Sequence, residues 1–221
     1  MKLAPRRVMQ ATPDRVLRPV VAIDIDGTMG FYHEHFLKFA AQWLQRTLPV
    51  YWDGSQPFWR TLGTSKQTYR QIKLCYRQGG MKRSMAPMPF ASALSRAVRA
   101  AGAELWVCTT RPYLRLDNID PDTRFWLRNN GIQYDGVLFG ENKYRDLAAM
   151  VGTDRVVAML DDEPEQIARA LRIGLPAYLI QRTYNRDVPH EAAPRRIENL
   201  RHGADKFTKL VEYWLHKKGV K

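Results

Sequence analysis

The run Val20-Val21-Ala22-Ile23-Asp24-Ile25-Asp26-Gly27-Thr28 places two carboxylates at i and i+2 directly after an apolar stretch, followed by a glycine and a hydroxyl. Three other apolar runs also end in polar groups. Glu104 to Cys108 leads into Thr109-Thr110-Arg111-Pro112, Gly136 to Phe139 into Glu141-Asn142-Lys143, and Val156 to Leu160 into Asp161-Asp162. Crowded carboxylates cannot all stay ionised without a cation, and hard oxygen ligands with room for water and phosphate suit Mg²⁺. A phosphoryl group bound beside that ion would be held by threonine hydroxyls and a lysine charge. This chemistry requires the run ends to meet on one edge of the molecule.

The elements that would bring them together are legible. The runs, with a further one at Ala177 to Ile180, are continuously apolar rather than alternating, as strands covered on both faces must be. Helical patterns lie between them. Asp120-Pro121 reads as an N-cap and first turn, with Asn129-Asn130-Gly131 as the stop. Asp162-Glu163-Pro164-Glu165 opens a further helix with acids near its positive end. Phe207, Leu210, Val211, Trp214 and Leu215 recur at helical spacing in a last amphipathic helix. Alternating β and α predict an α/β fold, a Rossmann-like parallel sheet flanked by helices. In such sheets ligands collect beyond the carboxyl ends of the strands.

About eighty residues separate the first two strands, more than one crossover needs. They hold helical patterns at about 32–47, 64–78 and 90–101, and a Pro/Gly-punctuated loop from Pro49 to Gly63. The last of these helices returns the chain to the sheet. Residues 31–84 therefore read as a small helical cap inserted into a core made of 1–30 and 85–221, with 1–17 a loose basic tail.

The composition, 45% hydrophobic and 26% charged, fits a globular chain and excludes gross disorder. No apolar run approaches the ~18 residues of a membrane span, and the N-terminus lacks an apolar secretory core. Two cysteines, Cys75 and Cys108, make neither a disulfide framework nor a zinc site, so a reducing, cytoplasmic setting is expected. Thirty-five Lys and Arg against twenty-two Asp and Glu leave a net charge of +13, which favours anionic partners.

The ordered motifs resemble the haloacid dehalogenase superfamily of phosphatases. Val20 to Thr28 is similar to its D-x-D-G-T motif and Trp106-Val107-Cys108-Thr109 to its second motif. Lys143 is the candidate third motif, and Leu160-Asp161-Asp162 is similar to the acidic fourth. The resemblance spans about 18–185 and implies Asp24 as nucleophile, forming an aspartyl-phosphate. It implies Asp26 as the acid and base that serves the leaving alcohol and then water. Thr109 and Lys143 would bind the transferring phosphoryl group, with Gly27 and Thr28 in the phosphate loop. Mg²⁺ would lie between Asp24, the Asp26 carbonyl, the phosphate and a carboxylate of Asp161 or Asp162. Dehalogenases and P-type ATPases lack an acid at the Asp26 position, so phosphate-ester hydrolysis or a phosphomutase is implied.

Plainer readings compete with some of these assignments. D-x-D-G echoes a calcium loop, but its twelfth position would be His35, and a strand rather than a helix precedes it. Asp162 could simply cap the following helix. Thr109 and Thr110 suit a strand regardless. Lys143 sits where a helix dipole disfavours a cation, which argues for a nearby anion. Arg111 reads as a phosphate or substrate ligand or as a surface salt bridge. His33 and His35, at i and i+2, do not share a helix face and do not make a metal pair.

From Gly54 to Ala103 there is no acid but nine basic residues. Lys66, Arg70, Lys73 and Arg77 step by four, three and four, forming one helical stripe flanked by Tyr69 and Tyr76. Aromatics beside a cationic track suit nucleotides, so phosphate-rich substrate binding is expected here. Within the superfamily, Cys108-Thr109-Thr110 and Arg182-Thr183-Tyr184-Asn185 resemble the 5′(3′)-deoxyribonucleotidases. Thr109-Thr110-Arg111, Leu160-Asp161-Asp162 and Arg172-Ile173-Gly174 resemble the 3′-phosphatase domain of polynucleotide kinase-phosphatases. The expected activity is Mg²⁺-dependent hydrolysis of nucleotide monophosphates. The alternatives are a polynucleotide 3′-phosphatase on DNA or RNA ends, a sugar-phosphate phosphatase or phosphomutase, and a non-catalytic nucleic-acid-binding protein.

Overall fold

A computed structural model describes residues 17–112 and 115–220; most of the expected basic tail lies outside them. The strands β1 (Val20–Ile23), β2 (Glu104–Thr109), β3 (Gly136–Phe139), β4 (Val156–Asp161), β5 (Ala177–Ile180) and β6 (Arg196–Ile197) form one parallel sheet in the order β3-β2-β1-β4-β5-β6. Strand β1 is central and wholly buried because both of its faces are apolar. Val21 and Ile23 enter one hydrophobic cluster, and Val20 and Ala22 the other, as a period of two requires. The edge strand β6 has no counterpart in the sequence reading. Two residues are too few to carry a pattern.

Register aligns the strand ends. Ile23 lies opposite both Val107 of β2 and Leu160 of β4, so Asp24, Thr109 and Asp161 share one rim. The amide of Asp24 extends the ladder to the Leu160 carbonyl at 3.0 Å.

Between β1 and β2 come α1 (Tyr32–Leu44), α2 (Phe58–Thr61), α3 (Lys66–Gln78), a 3-10 turn (Met81–Ser84) and α4 (Ala91–Ala100). Helix α1 stops three residues short of the expected 47, where Gln45 turns left-handed at φ 50°. In α3, Ser65 caps the amide of Thr68, and Ile72 and Tyr76 supply the buried face. Phe36, Ile72 and Tyr76 join the same apolar cluster as Ile25 and Trp126, so the 31–84 segment packs continuously onto the sheet's flanking layer.

The remaining helices are α5 (Ile119–Asn129), α6 (Lys143–Val151), α7 (Pro164–Arg172) and α8 (Leu200–Lys217). Helix α5 corrects one boundary. Asn118, not Asp120, occupies the N-cap position, and its amide donates instead to the Arg77 carbonyl and to Asp122. Asp120, in the first turn, pairs with Arg124 four residues on. Helix α8 buries Phe207, Val211, Trp214 and Leu215 as its spacing predicts. Among the described residues no helix is long and apolar enough to cross a membrane.

Candidate active site

The chain leaves β1 through a tight loop. Met29 and Gly30 both donate amide hydrogens to the Ile25 carbonyl, and Gly27 adopts φ +89°. A Cβ on Gly27 would lie 2.3 Å from Asp162 Oδ2, so glycine is needed for both conformation and space. Arg182 fastens the loop by donating to the carbonyls of Gly27 (2.7 Å) and Thr28 (2.9 Å).

Asp24, Asp161 and Asp162 converge. Each offers a carboxylate oxygen, and these oxygens lie within 4.8 Å of one another, all buried. Lys143 stands between two of them, donating to Asp24 Oδ1 at 2.6 Å and pairing with Asp161 Oδ2 at 2.7 Å. It is the first residue of α6, where the macrodipole disfavours a cation, and the two carboxylates compensate. Against the effect of its burial, these two carboxylates raise the Lys143 ammonium above the ordinary lysine range. Asp161 also accepts from the Tyr144 hydroxyl (2.6 Å) and the Glu163 amide (2.9 Å).

Asp162 does not cap α7; Glu163 occupies that position. Both Asp162 oxygens face inward instead, accepting from Thr28 Oγ1 (2.9 Å) and the Tyr184 hydroxyl (2.7 Å). Burial, then the neighbouring Asp161 charge, push Asp162 up to about 7 despite those two hydrogen bonds. Burial likewise raises Asp24 well above the carboxylate range; Lys143 opposes this, while Asp161 and Asp162 add to it. One lysine cannot balance three buried carboxylates in their ionised forms, which is why two of them are shifted upward. This all-oxygen donor set fits a hard divalent cation.

Asp26 faces a different environment. Arg111 grips it with two donors, Nη2 to Oδ1 at 2.6 Å and Nε to Oδ2 at 3.2 Å, and Lys82 also donates to Oδ2. Although burial alone would raise it, Arg111 and Lys82 hold Asp26 well below the usual carboxylate range. Arg111 is therefore not at the surface: it is buried, also donates to Thr123 Oγ1, and lines the same cavity as Asp26. Burial, only partly offset by Asp26, lowers Lys82 to about 7.

A cavity of about 90 Å³ opens between the rim and the 31–84 segment. The rim contributes Asp24, Asp26, Thr110, Arg111, Lys143, the acidic pair and Glu163; the segment contributes Tyr32, His33, Lys73, Arg77 and Lys82. Of the basic stripe, Lys73 and Arg77 line the cavity, whereas Lys66 and Arg70 are exposed outside it. Thr109 is buried behind the lining, its hydroxyl accepting from the Arg111 amide at 3.4 Å.

Lys82, Tyr184 and Arg182 are structural participants the sequence reading did not assign to the site. Lys82 sits within the acid-free stretch, but no local spacing sets it apart from its neighbours. His33 lies among Trp52, Phe58 and Tyr184, with ring centroids 4.6–5.3 Å away, and burial lowers its imidazole to about 4. His35 hydrogen-bonds Tyr76 and Ser84 instead. Neither histidine joins an acid cluster among the described residues.

No family model and no curated protein matches the sequence. Solved structures do. One is a predicted phosphatase from Clostridium acetobutylicum, 15% identical with a TM-score of 0.63, covering 87% of this chain and 99% of that one. Another is a predicted phosphoglycolate phosphatase from Haemophilus somnus, 16% identical with a TM-score of 0.61, covering 88% and 99%. A HAD family hydrolase from Deinococcus radiodurans, solved with bound phosphate and sodium, is 14% identical with a TM-score of 0.60, covering 88% and 97%. The likeness is one of architecture, and by it the chain has the fold of the HAD-superfamily hydrolases.

Proposed function

We propose that the chain is a Mg²⁺-dependent phosphomonoesterase acting through Asp24. One observation carries the reading: a buried carboxylate at the end of the central strand is held by Lys143 beside the Asp161–Asp162 pair, facing a cavity. In the first half-reaction an Asp24 oxygen bonds to phosphorus as the ester P–O bond breaks, and the departing oxygen takes a proton that Asp26 relays from solvent water. In the second, water bonds to phosphorus, the aspartyl P–O bond breaks and inorganic phosphate leaves, with the water proton passing to Asp26. Arg111 and Lys82 hold Asp26 in the ionised form that this second half needs. A divalent cation held by Asp24, Asp161 and Asp162 would supply charge neutralisation for the phosphoryl oxygens. Lys143 positions Asp24 and adds its own charge to that neutralisation.

The substrate is a nucleotide or nucleic-acid phosphate ester in the first instance, with the 31–84 segment acting as its cap. The exposed Lys66 and Arg70 support this, together with Trp59, which carries Arg60 at 5.2 Å and Lys66 at 5.7 Å from its ring centre. A second reading, a small phosphate ester such as a sugar phosphate, is favoured by the cavity itself. At about 90 Å³ it is well below the ~300 Å³ and upward of pockets that enclose drug-sized ligands, so it matches a small ester, and the sugar and base of a nucleotide would extend out of it.

The test is phosphate release from mononucleotides, 3′- and 5′-phosphorylated oligonucleotides and sugar phosphates, with and without Mg²⁺. Asp24→Asn should lose at least a thousandfold in rate while remaining folded. Full activity in that variant would remove Asp24 as nucleophile. Turnover confined to sugar phosphates would select the second reading.

A further inference from the structure

Of the cavity's five cationic side chains, three are ion-paired with its acids. Lys143 is paired with Asp24 and Asp161, and Lys82 and Arg111 with Asp26. Lys73 and Arg77 remain. They stand four residues apart on α3, so they lie one above the other on a single face. Among the described residues Lys73 donates only to the Tyr69 hydroxyl, at 3.2 Å, a neutral acceptor on its own helix. The Nε of Arg77 is buried with no hydrogen-bond partner among the described residues. Neither side chain forms an ion pair with any described residue, although both line the cavity with Asp24; Glu163, on the same lining, feels the charge of Lys73 but makes no ion pair with it. Like charges at this spacing disfavour the helix, and a buried guanidinium donor left unpaired carries a desolvation penalty. Both costs vanish if an anion lies between them.

We infer that Lys73 and Arg77 form a seat for a second anionic group of the substrate, distinct from the phosphoryl group presented to Asp24. The ligand class is a phosphate ester bearing a further phosphate or a carboxylate a short distance away. The inference rests on the phosphomonoesterase reading for the position of the first phosphoryl group. Geometry favours an anion over a neutral polar group, because an ammonium and a guanidinium present only donors. It also divides the stripe: Lys66 and Arg70 lie outside the cavity and do not contribute to this seat.

The experiment measures binding, so that failure of the hydrolytic reading does not obscure it. Full-length Asp24→Asn protein with Mg²⁺ is titrated calorimetrically with propyl phosphate, propane-1,3-diol bisphosphate and the phosphate ester of 3-hydroxypropanoate. The bisphosphate or the carboxylate ester should bind at least tenfold more tightly than propyl phosphate, and the arm that does so identifies the second group. Adding Lys73→Gln and Arg77→Gln should bring that ratio to within twofold of unity, with Arg77→Lys retaining part of it. Lys66→Gln with Arg70→Gln should leave the ratio intact. Equal affinity for all three ligands in the Asp24→Asn protein overturns the inference, as does a ratio that survives the Lys73 and Arg77 replacements. A circular dichroism spectrum matching the parent qualifies each variant, and Arg77→Lys alone serves if the double replacement does not fold. Loss of hydrolysis by the wild-type chain, with the ratio preserved, would count against the phosphomonoesterase reading and leave the seat standing.

Discussion

Arg111 clamps Asp26 through both of its carboxylate oxygens, and it does so from a buried position 85 residues away in the chain. Together with Lys82 this keeps Asp26 ionised in the resting protein. An acid needed to protonate a leaving alcohol is thereby disfavoured, while a base for the water step is ready. Esters whose leaving groups need little protonation should therefore react faster. We expect 4-nitrophenyl phosphate to be turned over at least tenfold faster than an alkyl phosphate. Arg111→Met should narrow that ratio by letting Asp26 take up a proton more readily. A ratio unchanged by the substitution would detach Arg111 from the proton chemistry.

Lys143 is the counter-charge to a buried acidic cluster. Removing one partner of a buried ion pair leaves uncompensated charge, a loss of about 3–5 kcal/mol. Lys143→Met should lower stability by that order in urea unfolding without added metal, and should abolish phosphate release. Mg²⁺ should raise the melting temperature of the variant more than that of the wild-type chain, because the ion takes over part of the neutralisation. Equal shifts in the two proteins would argue that the cation binds elsewhere.

At Gly27 the backbone sits at φ +89°, and an added Cβ would meet Asp162 Oδ2 at 2.3 Å and the Tyr184 hydroxyl at 2.6 Å. Held in place by their mutual hydrogen bond, these atoms cannot both yield without breaking the site. Backbone strain of this kind amounts to about 1–3 kcal/mol, and displacement of Asp162 adds to it. Gly27→Ala should lose both stability and phosphate release. A variant that unfolds at the wild-type urea concentration and keeps full activity would mean that the loop has another conformation.

What could be read in advance follows from how local each signal is. Strand β1 and the acids behind it announce themselves, because a fully buried strand is a continuous apolar run and its end is marked by the first charge. The parallel pairing of the strands follows from alternating β and α, whereas β6, two residues long, has no period to detect. Lys143 stood out because its charge conflicts with its place in the first turn of α6. Lys82 did not: it reaches Asp26 across 56 residues of chain, through a 3-10 turn with no spacing of its own. The contrast within the α3 stripe is of the same kind. Periodicity places Lys66, Arg70, Lys73 and Arg77 on one face, but only tertiary packing decides which two of them turn into the cavity.

Tyr184 links the acidic rim to the loop after α1. Its hydroxyl donates to Asp162 while its ring stacks on Trp52 at 5.0 Å, and the Thr183 hydroxyl donates to the Trp52 carbonyl. Tyr184→Phe keeps the ring and removes one of the two side-chain donors to Asp162. Outer partners of this sort are typically worth about 10–100-fold in metal affinity. The Mg²⁺ concentration giving half-maximal phosphate release should rise by that order, with little change in the fold's circular dichroism. An unaltered Mg²⁺ requirement would remove Asp162 from the cation site.

His33 gives the chain an acid-sensitive element. Packed among Trp52, Phe58 and Tyr184, its imidazole is lowered by burial to about 4, against an ordinary 6.5 in the unfolded chain. Asp26 pulls it back upward, while Lys73, Lys82 and Arg182 add to the depression. Between those two values the unfolded chain takes up a proton that the folded chain refuses, so folding stability rises with pH across this window. The contribution is fully present above about 6.5 and is lost as pH falls towards 4, below which both states are protonated. A shift of this size corresponds to on the order of 3 kcal/mol. His33→Phe keeps an aromatic ring among its neighbours and cannot titrate. Urea unfolding of both proteins at pH 7.5, 5.5 and 4.5 should show the wild-type chain losing stability relative to the variant as the pH is lowered. If the two curves run parallel, the imidazole takes up its proton as readily in the folded chain as in the unfolded one, and the aromatic cluster does not exclude its charge.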